Sequence, residues 1–220
     1  MSTHEHHAHT AEELRDRWTA ENWDERYRQK PSLWSGHVNA ALEEEAAALT
    51  PGTALDLPCG EGGDALWLAE HGWQVEGADV SSVALERGAA QAEARGLADR
   101  ITWSRRDVLT WRPTEPAYDL VSVTFLHLTP DIRPEVHRAL AAAVRPDGSF
   151  LVVAHHPSDL ETTVGRPPER ALFFTPEEVA ADLGAGWWVA SARVRPKTAR
   201  DAEDREVTVH DTVLRAVRGG

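Results

Sequence analysis

The chain has 220 residues and a formal net charge of -13, from 23 basic and 36 acidic side chains. This length fits one α/β domain that buries about 70% of the surface of its unfolded chain. The acidic balance opposes binding to a nucleic-acid backbone or an anionic membrane, and no run approaches the roughly 18 apolar residues that span a bilayer. Cys59 is the only cysteine, which excludes an intrachain disulfide and favours a reducing compartment such as the cytoplasm.

The first ten residues contain the tract His4-Glu-His-His-Ala-His9. Closely spaced imidazoles can chelate a transition metal. A short polar terminal segment is more typical of a solvated tail, so we expect residues 1–10 to be disordered and residues 11–220 to form the single domain.

A helical apolar pattern follows this tail. Residues 14–20 begin it, and Trp23, Tyr27 and Trp34 continue an aromatic series that the break at Pro31 interrupts. Aromatic side chains at helical spacing belong to a protein core more often than to a ligand site. Both interpretations remain open for these three rings.

A glycine-rich turn follows the first predicted strand, residues 53–57. Gly60, Gly62 and Gly63 allow the backbone of this turn to approach a ligand, and Asp64 is expected to cap a helix over residues 65–71. A second apolar strand, 74–78, ends in Asp79, 19 residues after Gly60. This is near the spacing at which a carboxylate accepts both ribose hydroxyls. A glycine turn alone is weak evidence, but the added acid indicates a nucleoside-containing cofactor.

The remaining chain alternates strands and helices, which predicts a doubly wound, mostly parallel, seven-stranded sheet. We expect further strands at 101–104, 119–125 and 149–154 and an antiparallel edge pair at 187–194 and 207–217. Predicted helices run over 83–95, capped by Ser81 or Ser82, from Pro134 to near Val144, and from a capping box at Thr175 to Leu183. The long loop 155–172 is expected to contribute to a functional site.

These motifs resemble the class I S-adenosylmethionine-dependent methyltransferases, most of all the small tellurite-resistance and thiopurine-type members, over roughly residues 18–217. The family's acid, glycine turn and second acid match Asp56, Gly60, Gly62 and Asp79. Pro58 departs from the pattern, since it stands where the family has the first glycine of the turn and removes a backbone donor.

The resemblance implies S-adenosyl-L-methionine as cofactor and an N-terminal lid that folds over it. It also implies that Asp107, after the third strand, accepts a hydrogen bond from the adenine amino group. The implied cofactor-binding residues are Trp23, Tyr27, Trp34, Asp56, Pro58, Cys59, Gly60, Glu61, Gly62, Asp79, Val80, Asp107, Val108, Thr124 and Phe125.

Methyl transfer from a sulfonium is an in-line displacement, so a protein chiefly has to align donor and acceptor, and no metal is required. An acceptor that arrives ionised needs no base, whereas a hydroxyl or a protonated amine does. His127 is the best-placed candidate for a catalytic or orienting role, followed by His155 and His156. A lone histidine at a strand end is nevertheless more often a packing residue.

The sequence leaves the acceptor open among small molecules with a sulfur, selenium, tellurium, nitrogen or oxygen nucleophile. Three arginines could orient an anionic acceptor, although solvation at the surface suits each of them better: Arg133, Arg166 and Arg170. The oligomeric state is open as well.

Two other classes remain as alternatives. A non-catalytic protein that senses or sequesters the cofactor or a metal would share these motifs. A nicotinamide-dependent oxidoreductase would share the turn and the ribose acid, but Tyr27 and Tyr118 are followed four positions later by Pro31 and Ser122 instead of a catalytic lysine. No Gly-x-Ser-x-Gly elbow and no phosphate loop support a hydrolase or a nucleotidase.

Overall fold

The computed structural model of the protein describes residues 18–220. The predictions for the histidine tract and for Leu14 lie outside these residues. Within them the chain forms one seven-stranded sheet: β1 (Thr53–Asp56), β2 (Gln74–Asp79), β3 (Ile101–Arg105), β4 (Tyr118–Thr124), β5 (Val144–His155), β6 (Trp187–Arg200) and β7 (Glu206–Arg218).

The strands lie in the order β3-β2-β1-β4-β5-β7-β6. β1 to β5 pair in parallel, while β7 pairs antiparallel with both β5 and β6. The predicted fold, a mostly parallel sheet with an antiparallel edge pair, is confirmed. In such a sheet the carboxyl ends of β1, β2, β4 and β5 meet along one rim, here called the carboxyl rim, where ligands of open α/β sheets bind.

Helices cover both faces of the sheet. Six α-helices lie within residues 18–220: α1 (Ala20–Arg28), α2 (Ala40–Ala46), α3 (Gly63–Glu70), α4 (Ser82–Ala94), α5 (Arg133–Ala141) and α6 (Pro176–Leu183). Short 3₁₀ turns occupy Ala98–Arg100, Pro157–Glu161 and Arg170–Leu172.

Neighbouring strand residues bury their side chains on opposite faces, as the two-residue period of a strand requires. Leu120 packs in the cluster that includes α2 and α3 residues, whereas Val121 packs in the cluster that includes α5 and α6 residues. Both side chains are fully buried. These two cores fix the sheet between its helical layers and so fix the positions of the side chains on the carboxyl rim.

The structure differs from the prediction at the start of α3. Gly62, with φ +85°, occupies the N-cap position and makes no side-chain cap, so Asp64 falls within the first turn. Its carboxylate instead accepts a hydrogen bond from the backbone N–H of Asn39 at 2.6 Å. The prediction of an Asp64 cap is therefore wrong, because a left-handed glycine had already begun the helix.

Two other predicted element boundaries, the end of α5 and the end of β6, differ from those in the structure. α5 ends at Ala141 instead of near Val144, because Val144 pairs with Tyr118 and begins β5 before a register shift. β6 continues to Arg200, six residues beyond its predicted end at Val194. Its charged side chains extend the strand because they find partners, as between Arg195 and Glu44 at 2.7 Å. The Ser81 cap and the Thr175 capping box were predicted correctly.

Candidate active site

The glycine turn and the end of β2 form one hydrogen-bonded unit on the carboxyl rim. The two carboxylate oxygens of Asp79 accept from the Gly60 and Ser81 amides, each at 2.9 Å. Gly60 has φ +54°, a left-handed conformation that favours glycine. Asp79 is buried, and burial raises the pKa of its carboxyl. The position of the acid thus depends on the turn that follows β1.

Two further acids surround this unit. Asp56 at the end of β1 is fully buried, and the Ala65 amide points toward it, yet neither of its oxygens makes a hydrogen bond of ordinary geometry with the described residues. Burial, and then the neighbouring charges of Asp64 and Asp79, raise its pKa well above the usual range. Burial also raises the pKa of Asp64 to about 6. A cation placed among these groups would stabilise their ionised forms.

The segment that contains α1 is attached through Asp24 to residues 81–83, which follow β2 on the carboxyl rim. The Ser81 hydroxyl donates to Asp24 Oδ1 at 2.6 Å, and the Ser82 hydroxyl donates to Oδ2 at 3.2 Å. The Val83 amide also donates to Asp24. A carboxylate at the N-terminus of α4 is favourable because of the exposed amides there.

A second attachment joins residues 30–34 to the glycine turn. Glu61 Oε2 accepts from the Leu33 and Trp34 amides at 3.0 and 3.1 Å, and Oε1 accepts from Arg87 at 2.8 Å. Arg87 also donates to the Tyr27 and Lys30 carbonyls. The Glu61 carboxylate therefore ties the N-terminal segment to the turn.

Three aromatic rings of this segment lie close to the turn. Trp23 is 5.9 Å from Tyr27 and 6.4 Å from Trp34 between ring centroids, and Trp34 Nε1 donates to Tyr27 Oη at 2.9 Å. A Cβ atom on Gly60 would lie 3.1 Å from Tyr27 Oη. Tyr27 is buried, whereas Trp34 is 51% exposed. Within this segment Tyr27 therefore packs as a core residue, whereas Trp34 lies at the surface.

A second group of rings lies beyond the ends of β4 and β5. This aromatic cluster comprises Phe125, His127, His155 and Phe173. The two imidazoles stack at 4.8 Å with an interplanar angle of 17°, and Phe125 lies 4.7 Å from His155. Phe125 has φ +54°, an uncommon conformation for a residue with a side chain, and such conformations occur preferentially at functional sites.

Both histidines of the aromatic cluster are neutral near pH 7. His127 Nδ1 lies 3.0 Å from the Leu172 carbonyl, so it carries the proton and leaves Nε2 as an acceptor without a partner among the described residues. Burial lowers the pKa of His127 to about 4. Burial, and then the charges of neighbouring groups, lower that of His155 to about 2.

His156 and the three arginines considered for an anionic acceptor have other hydrogen-bond partners. His156 does not join the aromatic cluster: its Nδ1 accepts from the Ser158 amide at 3.2 Å and lies 2.9 Å from the Ser158 hydroxyl. Arg133 is buried against Asp182, and Arg166 is paired with Asp159, so surface solvation describes neither. Arg170 is exposed, and it donates to the Phe173 carbonyl.

The remaining predicted cofactor residues flank the same rim. Asp107 Oδ1 accepts from the Leu109 amide at 2.9 Å, which fixes the turn after β3. Arg105 donates to the Val80 carbonyl, and Val108 is buried in the core. Cys59 is a buried free thiol. Pro58 and Thr124 follow β1 and end β4, respectively.

A family model described as a methyltransferase domain matches residues 54–148. The chain is 30% identical over 142 residues to thiocyanate methyltransferase 1 of Brassica oleracea, a match that covers 64% of this chain and 61% of that protein. It is 28% identical over 167 residues to thiocyanate methyltransferase 1 of Arabidopsis thaliana, covering 74% of this chain and 72% of the relative. Together these matches support a class I S-adenosylmethionine-dependent methyltransferase.

Solved structures give the same fold for this methyltransferase. One solved structure superposes with a TM-score of 0.74 at 22% identity, and the match covers 91% of each chain. Its description is the conversion of a disulfide bond into a thioacetal group during echinomycin biosynthesis. TehB from Haemophilus influenzae superposes with a TM-score of 0.69 at 18% identity, over 90% of this chain and 67% of that one.

The residues on the carboxyl rim fit the cofactor of this methyltransferase family. S-adenosylmethionine carries an ammonium and a sulfonium, and Asp56 offers two buried oxygens without partners among the described residues. The carboxylate of Asp79 stands beside the left-handed Gly60, where a side chain would meet Tyr27. Among residues 18–220, no group of three or more His, Cys, Asp or Glu side chains could hold a metal ion, and no helix is long and apolar enough to cross a membrane.

The sequence pattern did not single out several residues that lie at or beside the candidate site. Asp24 lies between Trp23 and Tyr27, two rings that the sequence did single out, yet its acid was assigned no role. Arg87 gave no local signal, because its partners lie 26 to 60 positions away. Lys197 is one of only two lysines in the chain, and that rarity was the available clue.

Proposed function

We propose that the protein transfers the methyl group of S-adenosylmethionine to a small sulfur nucleophile that arrives ionised, of the thiol or thiocyanate type. The observation that carries this proposal is the burial of two stacked imidazoles in the aromatic cluster. Burial holds the pKa of His127 at about 4 and contributes most to that of His155 at about 2, so neither imidazole readily takes a proton near neutral pH. An acceptor that needs no proton removed suits such a site.

The carboxyl rim would bind the cofactor through its acids. Asp79 would accept from the ribose hydroxyls, Asp107 from the adenine amino group, and Asp56 from the ammonium group. When bound, S-adenosylmethionine supplies an electrophilic methyl group on a sulfonium. Tyr27 and Trp34 would close over the turn and exclude water from this side.

The aromatic cluster would bind the acceptor at the ends of β4 and β5. Flat, polarisable rings suit a soft and weakly hydrated nucleophile, whose transfer out of water costs little. Phe125 and the stacked imidazoles would align the sulfur with the methyl group, and alignment supplies much of the rate of a displacement. Curated relatives named thiocyanate methyltransferase and probable thiol methyltransferase support this class of acceptor.

Two further properties belong to the proposal. The acidic net charge of -13 favours a small-molecule acceptor over a nucleic acid. The single cysteine, a free thiol, supports a location in a reducing compartment such as the cytoplasm.

A series of thiols with different acidities tests the proposal. With excess cofactor, we expect kcat/KM to rise with pH in proportion to the thiolate fraction of each thiol and to show no inflection that belongs to the protein between pH 6 and 9. Thiocyanate, ionised throughout, should give a flat profile. Turnover of phenols or amines but of no sulfur acceptor would contradict the proposal.

A further inference from the structure

Lys197 reaches the aromatic cluster from the edge strand β6. Its Nζ lies 5.0 Å from the centroid of the Phe125 ring and 2.7 Å from Asp211 Oδ1. Neither Lys197 nor Asp211 was among the site residues expected from the sequence. A cation against an aromatic face is attracted by the ring quadrupole, so Phe125 and Asp211 together fix the position of the ammonium.

We propose that Lys197 is a specificity-determining residue whose ammonium group selects small acceptors that carry a negative charge. The inference rests on the proposed function and deepens it, because it assigns the recognition of the acceptor's charge to one side chain.

The ammonium is the accessible side of its ion pair. The Asp211 side chain is 2% exposed, whereas that of Lys197 is 31% exposed. An ammonium has three N–H donors, and Asp211 accepts one hydrogen bond from it among the described residues. A small molecule that enters the aromatic cluster can therefore contact the Lys197 ammonium, which has further N–H donors, more readily than the buried Asp211 carboxylate.

Two buried nitrogen atoms in the same cluster also indicate a polar ligand. His127 Nε2 and His155 Nδ1 have no hydrogen-bond partner among the described residues. Buried polar atoms are nearly always paired in folded proteins. His155 Nδ1 lies 4.0 Å from Asp211 Oδ1 and can donate to an anion when it carries the ring proton, whereas the unprotonated Nε2 of His127 can only accept.

The other charges near Lys197 are already paired. Arg195 contacts Glu44 at 2.7 Å, and Arg166 contacts Asp159 at 2.9 Å. Each guanidinium donates from two nitrogen atoms to its carboxylate partner. Lys197 thus differs from these two arginines, because it makes a single hydrogen bond to its carboxylate partner and keeps its other N–H donors for a ligand.

Kinetics of three variants test the inference. In Lys197→Met, we expect kcat/KM for thiocyanate to fall by at least about tenfold, the effect of losing one charge-assisted hydrogen bond, mainly through KM. Lys197→Arg should retain most of the wild-type value. Affinity for S-adenosylhomocysteine should not change in either variant. Arg200→Met serves as the matched control, because this residue lies on the same strand with 56% of its side chain exposed.

Amine labelling gives an independent readout in the wild-type protein. Lys30 and Lys197 are the only lysines, so peptide mass spectrometry resolves the two sites. With S-adenosylhomocysteine bound, thiocyanate should slow the acetylation of Lys197 and leave that of exposed Lys30 unchanged. Equal labelling with and without thiocyanate would overturn the inference, even if Lys197→Met fails to fold.

The outcomes separate this inference from the proposed function. Wild-type turnover of thiocyanate with an unchanged KM in a folded Lys197→Met variant would overturn the role of Lys197 and leave the proposed function standing. Protection of Lys197 without any turnover of sulfur acceptors would uphold the anion contact and overturn the proposed function. If Lys197 is not protected and no sulfur acceptor is turned over, both the role of Lys197 and the proposed function are overturned.

Discussion

Asp79 is the single residue on which the proposed cofactor recognition depends most. Its carboxylate sits at the end of β2 and is oriented by the Gly60 and Ser81 amides. We expect Asp79→Asn to weaken binding of S-adenosylmethionine and of its demethylated product by about 1.5–3 kcal/mol, because the charge and one of the two acceptor oxygens are lost. Isothermal titration calorimetry measures this change directly.

The matched control for Asp79 is Asp99→Asn. This exposed acid lies in a 3₁₀ turn before β3, so its replacement removes the same charge without touching the rim. A folded Asp79→Asn protein with wild-type affinity for the cofactor would show that the ribose assignment is wrong.

His127 is expected to orient the acceptor as a neutral ring. Since burial lowers its pKa to about 4, it stays unprotonated from pH 9 down to pH 6 and gains its charge only as the pH falls toward 4. We predict that His127→Gln lowers kcat/KM by less than about tenfold and leaves cofactor affinity unchanged, whereas loss of a general base would cost about 10²-fold or more. Steady-state rates with thiocyanate across pH 6 to 9 distinguish these outcomes. A loss of 10²-fold, or a wild-type inflection that disappears in His127→Gln, would establish a base instead.

At the scale of helices and strands, a buried ion network joins α5 to α6 beneath the aromatic cluster. Asp182 accepts from Arg133 Nε at 2.7 Å and from His137 Nδ1 at 2.9 Å, and all three side chains are almost fully buried. The Arg133 guanidinium also lies 4.8 Å from the Phe174 ring centroid, next to Phe173 of the cluster.

Removing the acid from this network should destabilise the protein strongly. We predict that Asp182→Ala lowers the free energy of unfolding by about 3–5 kcal/mol, because it leaves a buried guanidinium without its partner. The exposed pair of Arg112 and Glu135 provides the control, and Glu135→Ala should cost no more than about 1 kcal/mol. Urea denaturation measures both values, and similar small losses in the two variants would contradict the assignment.

The N-terminal segment, residues 18–36, is expected to act as a lid. It is attached through Asp24, Glu61 and Arg87 and places Tyr27 beside Gly60. Hydrogen exchange in residues 18–36 should slow when cofactor is added, while exchange in α6 stays the same. Arg87→Met should speed exchange in the free protein, because three hydrogen bonds to the segment and the turn are lost. Equal exchange with and without cofactor would mean that these rings are ordinary core.

The sequence predicts helices and strands better than it predicts the contacts between them. Local signals such as the Ser81 cap, the Thr175 capping box and the alternation in β7 were sufficient, because each arises within a few residues. Contacts between distant segments were not visible. Asp64 was expected to cap its own helix, but it receives a hydrogen bond from Asn39, 25 positions earlier.

The same limit applied to the site. The sequence pattern and the family resemblance brought Asp56, Asp79 and the glycine turn together, because the carboxyl ends of parallel strands necessarily meet. Stacking of His127 on His155 depends on the register of β4 and β5, and the arrival of Lys197 depends on an edge strand longer than expected. Neither follows from spacing along the chain.

For the whole molecule, the two halves of the proposed reaction occupy neighbouring parts of one rim. Buried acids lie at the ends of β1 and β2, where a cationic cofactor would be stabilised. Neutral rings and one lysine lie beyond β4 and β5, where an anionic acceptor would be bound. Opposite charge preferences on the two sides would place a soft anion against a sulfonium, which is the arrangement that the displacement requires.

A competition assay tests this account most directly. The protein would be given S-adenosylmethionine with an isotopically labelled methyl group and equal concentrations of thiocyanate, a thiol, a phenol and an amine at neutral pH. Mass spectrometry would then follow the label. The account predicts that the label appears on sulfur, with one S-adenosylhomocysteine formed for each methyl group transferred. Label on oxygen or nitrogen alone, or bound cofactor that no acceptor consumes, would contradict it.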